Sequence, residues 1–271
     1  MGLVISATKN WEFFTSFSQT HAGRVRPYNE DAILDITDQG VWVVADGMGG
    51  HSAGDIASQM VVDGVKQYVD VAGDGLNIDG LKSTLIDVNR QIINYSNKHH
   101  EGKMMGSTAV VLHIRDGYYH CLWVGDSRIY LMRSQCLRRK TRDHSQVMDM
   151  VEQGLIAESE AEDHPLSNVI TRAIGVSEEL RVDQVSGQLL PDDQFLLCSD
   201  GLTKELGDSD LAKCLQAASV SDIGLALMHS ALVKGASDNV SCILVKIGLD
   251  DSKQLQSIKC DDTVPVFYNR R

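Results

Sequence analysis

The apolar residues follow two patterns along the chain, and each pattern predicts one kind of secondary structure. Short continuous apolar runs, which are typical of buried strands, cover 41–45, 108–114, 118–124, 129–132, 195–199 and 240–247. Apolar residues at helical spacing predict helices over 52–70 and 78–97. Further helices are predicted over 144–163, which is polar, and over 208–217 and 222–233. Asp116-Gly117, which separates two of the strands, indicates a hairpin. Because the strands come in runs and the helices in pairs, the pattern favours a layered α+β domain over βαβ alternation.

Composition and charge narrow the class of protein. Of the 271 residues, 43% are hydrophobic and 23% are charged, as in an ordinary globular domain. We expect a single domain over 1–248 and a flexible tail over 249–271, where the periodicity is weak. The 25 Lys and Arg against 37 Asp and Glu give a net charge of −12, which disfavours nucleic-acid binding. No apolar stretch approaches the roughly 20 residues that cross a bilayer, so we expect no membrane span.

The use of cysteine suggests a compartment and argues against zinc. None of the six cysteines belongs to a Cys-x-x-Cys pair, so a zinc cage is not expected. Cys121, Cys198 and Cys242 lie inside apolar runs, where a free thiol acts as a small hydrophobic group. Free thiols are typical of a reducing environment, which predicts a cytoplasmic protein.

Aspartates mark the ends of the predicted strands. Asp46, Asp126 and Asp200 lie just after strands, whereas Asp31 precedes the short apolar run 32–34 and Asp238 precedes the strand 240–247. A single Asp beside a strand usually belongs to a turn. If the strand ends share one rim of a sheet, however, all five carboxylates converge there, and crowded carboxylates require a compensating charge. An all-oxygen ligand set without His or Cys points to Mg²⁺ or Mn²⁺.

Two further residues near these acids, His51 and Arg26, have two interpretations each. The loop 46–51 is rich in glycine but lacks the Gly-Lys-Ser/Thr ending of a nucleotide-binding P-loop. Its last residue, His51, is either a structural or surface histidine or a functional one. Arg26 either pairs with a neighbouring acid or, beside a cation site, binds a phosphate with its planar guanidinium group.

Eight short motifs in a fixed order resemble the metal-dependent PPM-type serine/threonine protein phosphatases, the protein phosphatase 2C class. These motifs lie at 23–31, 44–51, 106–109, 124–128, 141–145, 168–175, 197–202 and 237–241. The form Asp46-Gly47-Met48-Gly49-Gly50-His51 is similar to the bacterial branch of the family. The segments 143–154 and 164–175 resemble phosphatases found with bacterial type VI secretion systems.

The resemblance implies a four-layer αββα sandwich with a metal cleft at one end. Two central antiparallel sheets would be flanked by antiparallel helix pairs, and two Mn²⁺ or Mg²⁺ ions would lie in the cleft. The implied metal ligands are Glu30, Asp31, Asp46, the Gly47 carbonyl, Asp126, Asp200 and Asp238. Asp46 would bridge the two ions, and Asp126 together with Asp200 would hold a third, weaker one.

The resemblance also implies the reaction and its partners. A metal-activated water would hydrolyse phosphoserine and phosphothreonine in proteins, reversing a serine/threonine kinase in bacterial signalling. Arg26 would hold the substrate phosphate. His51 would protonate the leaving oxygen, although it lies five residues after Asp46, whereas eukaryotic members have a histidine two residues after. A monomer is expected, with a mobile flap over 145–180 beside the cleft.

Two alternatives remain open at this level. A catalytically silent phosphoprotein-binding protein would have lost a bridging carboxylate, but Asp46, Asp200 and Asp238 are all present. A cysteine-dependent phosphatase could use Cys136 and Arg142, which have the required Cys-x₅-Arg spacing. The residues between them include no Gly or Ala, although such a loop needs small residues to wrap a phosphate.

Overall fold

The structure is a computed structural model, and it describes residues 13–49, 53–99, 104–161, 164–216 and 219–248. Its strands are β1 (Phe13–His21), β2 (Asp31–Ile36), β3 (Val41–Met48), β4 (Gly106–Ser107), β5 (Ala109–Arg115), β6 (Tyr118–Val124), β7 (Arg128–Arg133), β8 (Cys136–Arg139), β9 (Asp183–Gln188), β10 (Gln194–Cys198) and β11 (Val240–Gly248). Its helices are α1 (Ala53–Ala72), α2 (Ile78–His99), α3 (Gln146–Glu152), α4 (Asp200–Thr203), α5 (Asp208–Cys214) and α6 (Val220–Lys234).

The strands form two antiparallel sheets. The first sheet has the order β1-β11-β10-β7-β8, and the second has the order β2-β3-β5-β6-β9, with β4 added beside β3. The hairpin between β5 and β6 turns at Asp116 and Gly117, whose φ angles of 52° and 77° are both positive. Such φ angles are those of the type I′ turn that Asp-Gly favours, so the predicted hairpin is confirmed.

Three hydrophobic cores separate four layers. One core packs α1 and α2 on the second sheet through residues such as Val61, Leu85 and Val43. A second core, with Trp42 and Phe195, lies between the two sheets. A third core packs α5 and α6 on the first sheet. The predicted αββα sandwich is therefore confirmed.

Continuous apolar runs arise because the central strands are buried on both faces. In β3, Val43 and Ala45 face the helices, whereas Trp42 and Val44 face the other sheet. Strand side chains alternate between faces, so a strand covered on both sides needs apolar residues at every position.

The sequence-based boundaries were wrong at one predicted helix. A helix is predicted over 144–163, but the described part of this segment, 144–161, contains only α3 and a 3₁₀ turn over Glu158–Glu160. Gly154 ends α3 with a φ of 69°, its N–H bonds to Val151 O, and the N–H of Leu155 bonds to Met150 O. This pair of hydrogen bonds is a Schellman motif, which stops a helix after a left-handed glycine.

The strand predictions also need correction, since β1, β4 and β9 were not predicted and β3 was predicted to end too early. β1 was missed because its residues are mainly polar, although Phe14 and Phe17 reach the two neighbouring cores. β3 was predicted to end at 45, but it continues to Met48 because Gly47 and Met48 pair with β4. Asp46 therefore lies within a strand and not after it. The predicted tail, 249–271, lies outside the described residues and stays a prediction. Within the described ranges, no helix is long and apolar enough to cross a membrane.

Candidate metal centre

Five aspartates from both sheets face one another at one end of the sandwich. We call this set the acidic cluster; its members are Asp31, Asp46, Asp126, Asp200 and Asp238. In the second sheet, Asp31 lies directly opposite Asp46 in the pairing of β2 with β3. Asp46 is half-buried, and the charges of the other four members repel it. The structure thus brings the carboxylates near the strand ends together, as predicted.

Serines from the first sheet hold Asp31. The hydroxyls of Ser199 and Ser241 donate to Asp31 Oδ2 at 2.8 and 2.6 Å. Ser241 N–H in turn donates to Ser199 Oγ at 3.0 Å, which fixes the two hydroxyls relative to each other. The two sheets are therefore joined by hydrogen bonds at the acidic cluster.

The backbone of Asp46 is fixed by the segment that connects β4 and β5. Asp46 N–H donates to Thr108 Oγ1 at 3.0 Å, and Asp46 O accepts from Thr108 N–H at 2.8 Å. The Ser107 hydroxyl also donates to Asp46 O, at 3.1 Å. These bonds leave the Asp46 carboxylate, and not its backbone, available for a ligand.

Gly47 allows β3 to approach both α1 and the residue before β2. Its N–H donates to Glu30 O at 3.0 Å. A Cβ at Gly47 would lie 2.0 Å from Gly54 O and 2.5 Å from Glu30 O, so a larger residue does not fit. Ser58 and Asn239 bind the Glu30 backbone from the other sides, at 2.6 and 2.8 Å. Glu30 and Gly47 are thereby brought next to Asp46.

The turn that carries Asp126 is supported by a histidine. Gly125 N–H donates to His144 Nδ1 at 3.0 Å, and Gly125 O accepts from His144 N–H at 2.9 Å. Because Nδ1 is an acceptor, Nε2 carries the proton and faces Asp183 Oδ2 at 3.2 Å. His144 thus ties the start of the predicted flap to the turn of Asp126.

Burial makes the ionised form of these carboxylates unfavourable unless a further positive charge is present. Burial raises the pKa of Asp31 to about 7, despite the hydrogen bonds from Ser241 and Ser199. It also raises the pKa of Asp126 to about 7, with a further contribution from the charge of Asp200. Burial and the charge of Asp31 raise the pKa of Asp46 well above its usual value.

Three oxygens of the cluster face the interior without a hydrogen-bond partner. Among the described residues, the buried side-chain atoms that lack one are Asp31 Oδ1, Asp126 Oδ1 and Asp200 Oδ1. A buried polar atom without a partner is costly and needs an explanation. A hard divalent cation accounts for both the free oxygens and the crowded charge, so these residues fit Mg²⁺ or Mn²⁺.

Two basic side chains, Arg26 and Lys204, neutralise part of the cluster. Arg26 Nε lies 2.9 Å from Asp238 Oδ1, and Arg26 Nη2 lies 3.1 Å from Oδ2. Lys204 Nζ pairs with Asp200 Oδ2 and lies 3.0 Å from Asp238 Oδ2. Burial alone would raise the pKa of Asp238, but Lys204, a backbone N–H and Arg26 lower it.

Across the described residues, no three His, Cys, Asp or Glu side chains form a preassembled coordination cage.

Sequence reasoning missed Lys204. A signal was present, because Lys204 follows Asp200 by four residues, the spacing of an ion pair across one helical turn. Its contact with Asp238 had no such signal, because 34 residues separate the two.

A pocket of about 770 Å³ extends from the acidic cluster to the predicted flap. Its lining includes Asp126, Asp200 and Lys204 together with the flap residues Met148, Glu158, Ser167 and Asn168. The flap therefore borders the same space as Asp126 and Asp200, two of the five members of the acidic cluster.

The structure bears differently on the three remaining candidate residues, which are His51, Cys136 and Arg142. His51 lies outside the described residues, so its role stays a prediction. Cys136 lies exposed in β8, and not in a loop that could wrap a phosphate. Arg142 donates to Met148 O at 2.7 Å and pairs with Glu152 at 3.1 Å. A cysteine-dependent reaction is therefore not favoured.

Comparison with known proteins gives consistent matches over most of the chain. Residues 19–234 match the family model described as Protein phosphatase 2C. The serine/threonine phosphatase Stp of Listeria monocytogenes is 34% identical over 236 residues, which cover 84% of this chain and 94% of Stp.

Two solved structures resemble the fold closely. PppA, described as a key regulatory component of the type VI secretion system in Pseudomonas aeruginosa, is 38% identical with a TM-score of 0.80, covering 88% of this chain and 99% of PppA. The catalytic domain of the serine/threonine phosphatase PstP, solved with 2 manganese ions, is 28% identical with a TM-score of 0.79, covering 87% and 99%.

Protons should compete with metal in the acidic cluster. With pKa values of about 7, Asp31 and Asp126 are mostly protonated at about pH 6 and mostly ionised at about pH 8. A metal needs ionised ligands, so affinity should rise as pH rises through 7. We expect Mn²⁺ to bind about tenfold or more weakly at the lower pH and to release protons there. Calorimetry in two buffers of different ionisation enthalpy measures both quantities; equal affinities without proton release would contradict the assignment.

Proposed function

This chain belongs to the protein phosphatase 2C family and is a metal-dependent serine/threonine protein phosphatase, and we propose that the acidic cluster is its active site. One observation carries the proposal: five carboxylates from both sheets converge with three buried oxygens that lack a hydrogen-bond partner. Such a set suits Mn²⁺ or Mg²⁺, on which catalysis in this family depends. The substrates are phosphorylated proteins.

We propose a division of the ligands among the ions. Asp46 would bridge two ions, because the charges of all four other members act on it. The Gly47 carbonyl would bind one ion, and Asp200 and Asp238 would bind the other. Glu30 and Asp31 would bind directly or through water. The hydrogen bonds to the Asp46 backbone and to Asp31 Oδ2 support this division, since they orient the free oxygens without occupying them.

The remaining chemistry is proposed from the protein's own groups. When bound, the metal ions activate the attacking water and neutralise charge on the phosphoryl group. Arg26 binds the substrate phosphate with its planar guanidinium group, which already holds Asp238 through two nitrogens. The Arg26 side chain is 51% exposed, so a phosphoprotein can reach it. His51 is proposed to protonate the leaving oxygen. No nucleophilic side chain is required.

The biological setting is proposed from the relatives. The resemblance to PppA suggests a role in regulating a type VI secretion system, opposite a serine/threonine kinase. We further propose a cytoplasmic monomer with one catalytic domain over 1–248. A silent phosphoprotein-binding protein is not favoured, because Asp46, Asp200 and Asp238 all belong to the cluster.

Replacing the bridging carboxylate tests the site directly. Asp46→Asn removes one negative charge from between the proposed ions, so hydrolysis of an aryl phosphate should fall about a hundredfold or more. Asp116→Asn, in an exposed hairpin turn, is the matched control and should keep full activity. Circular dichroism checks that both variants fold. Full activity of the unmodified protein in excess EDTA would refute a metal-dependent site.

We propose a third, weaker metal site between Asp126 and Asp200. Both residues have a buried oxygen without a partner, and the charge of Asp200 acts on Asp126. Asp126→Ala should leave the two tighter Mn²⁺ ions bound in calorimetry while turnover falls about tenfold or more. Loss of the tight ions would mean that Asp126 belongs to the central pair instead.

We also propose that the flap, 145–180, contributes to substrate recognition, because it borders the same pocket as Asp126 and Asp200 of the cluster. Glu158 is its best acidic probe, because it lines this pocket and its side chain is 75% exposed, with only a long 3.7 Å contact to Arg139. Glu160 is already bound to Ala157 N–H at 2.8 Å, and Glu162 lies outside the described residues.

Glu158→Ala should therefore change kcat/KM on a phosphopeptide by about twofold to fivefold, the size of one exposed charge contact. An aryl phosphate is too small to reach Glu158, so its hydrolysis should not change. Glu178→Ala, at an exposed position outside the pocket lining, is the matched control. Equal effects on both substrates, or no effect on either, would count against recognition by the flap.

A further inference from the structure

Lys204 contacts two proposed metal ligands at once. It follows α4, one helical turn after Asp200, and its ammonium group pairs with Asp200 Oδ2. The same nitrogen lies 3.0 Å from Oδ2 of Asp238, which precedes β11. The Lys204 side chain is 29% exposed, so most of it is enclosed by the protein. Lys204 thus joins two chain segments through a single positive charge.

The other contacts of these carboxylates show what the lysine occupies. Asp238 Oδ1 already faces Arg26 Nε at 2.9 Å and accepts the N–H of Asn239 at 3.0 Å. Asp238 Oδ2 is shared between Arg26 and Lys204. Asp200 Oδ1 has no partner, so Lys204 holds the other oxygen of that carboxylate. A divalent ion that binds both carboxylates must therefore share them with a nearby ammonium group.

We propose that Lys204 is an internal cation that competes with the metal for Asp200 and Asp238 and so lowers the affinity of the site for Mn²⁺ and Mg²⁺. The inference rests on the proposed role of these two aspartates as metal ligands. Two positive charges that share the same carboxylates repel each other strongly, because the enclosed site screens them poorly. Removing the lysine charge should therefore tighten metal binding.

The pocket gives Lys204 a place to move. Its side chain lines the space of about 770 Å³ between the cluster and the flap. A lysine has a flexible four-carbon stem, so its ammonium group can turn from the carboxylates into this space. By this account, metal binding moves the Lys204 ammonium group away from the two carboxylates. The site therefore fills with metal at higher metal concentrations than it would without Lys204.

A purely structural role makes a different prediction. If Lys204 only joins α4 to the segment before β11, its loss loosens both ligands, and both stability and metal affinity fall. If Lys204 competes with the metal, the two readouts move in opposite directions. Removing the Lys204 charge then costs the metal-free protein a favourable ion pair, so its stability falls. The affinity of the same variant for Mn²⁺ increases.

The experiment compares Lys204→Met with the matched control Lys234→Met. Lys234 also pairs with an aspartate, since its Nζ lies 2.7 Å from Asp210 Oδ2 in the helical layer. Calorimetry on chelator-stripped protein should show about tenfold or more tighter Mn²⁺ binding for Lys204→Met. Its unfolding temperature without metal should fall. Lys234→Met should bind Mn²⁺ as the unmodified protein does.

Two further variants keep the test decisive. Lys204→Gln replaces Lys204→Met if the latter does not fold, and Lys204→Arg keeps the positive charge and should retain the weaker affinity. Unchanged or weaker Mn²⁺ binding by the neutral variants overturns the competition while leaving the proposed active site intact. Failure of the unmodified protein to bind Mn²⁺ at all overturns the proposed metal site itself.

Discussion

The crowding of five carboxylates at one end of the sandwich, three of them with a buried oxygen that lacks a hydrogen-bond partner, is the constraint on which the rest of the site depends. Burial and mutual repulsion raise the pKa of Asp31, Asp46 and Asp126. Hydroxyl groups and two basic side chains offset part of this cost, but three oxygens remain buried without partners. In the proposed active site, metal ions would complete the compensation, so the carboxylates that destabilise the metal-free protein are the groups that would bind the metal.

The two-sheet architecture is what brings these carboxylates together. Asp31 and Asp46 come from paired strands of one sheet, whereas Ser199 and Ser241 approach from the other. Asn239 completes the junction, since its amide donates to the carbonyl oxygens of Ala22 and Tyr28 and accepts from the N–H of Glu30. The loop that contains Arg26 is therefore fixed to the start of β11, next to the proposed metal ligands.

Much of this arrangement could be predicted from sequence because each part has a local signal. Continuous apolar runs marked the doubly covered strands, and aspartates at strand ends marked the rim. Contacts between distant segments have no such signal, as with Lys204 and Asp238. β1 was missed because its side chains are mainly polar, and its place is set by pairing with β11, which lies more than 200 residues away. The early end of α3 depends on the left-handed conformation of Gly154, which competes with the helical spacing around it.

The central claim is that the acidic cluster exists to hold metal ions bridged by Asp46. Anomalous X-ray diffraction from crystals of the protein grown with Mn²⁺ measures the metal positions without reference to activity. The account predicts two strong anomalous peaks on either side of the Asp46 carboxylate, with Gly47 O, Asp200 and Asp238 among their ligands. Strong peaks elsewhere, with none at Asp46 in protein that hydrolyses phosphoproteins, would contradict it.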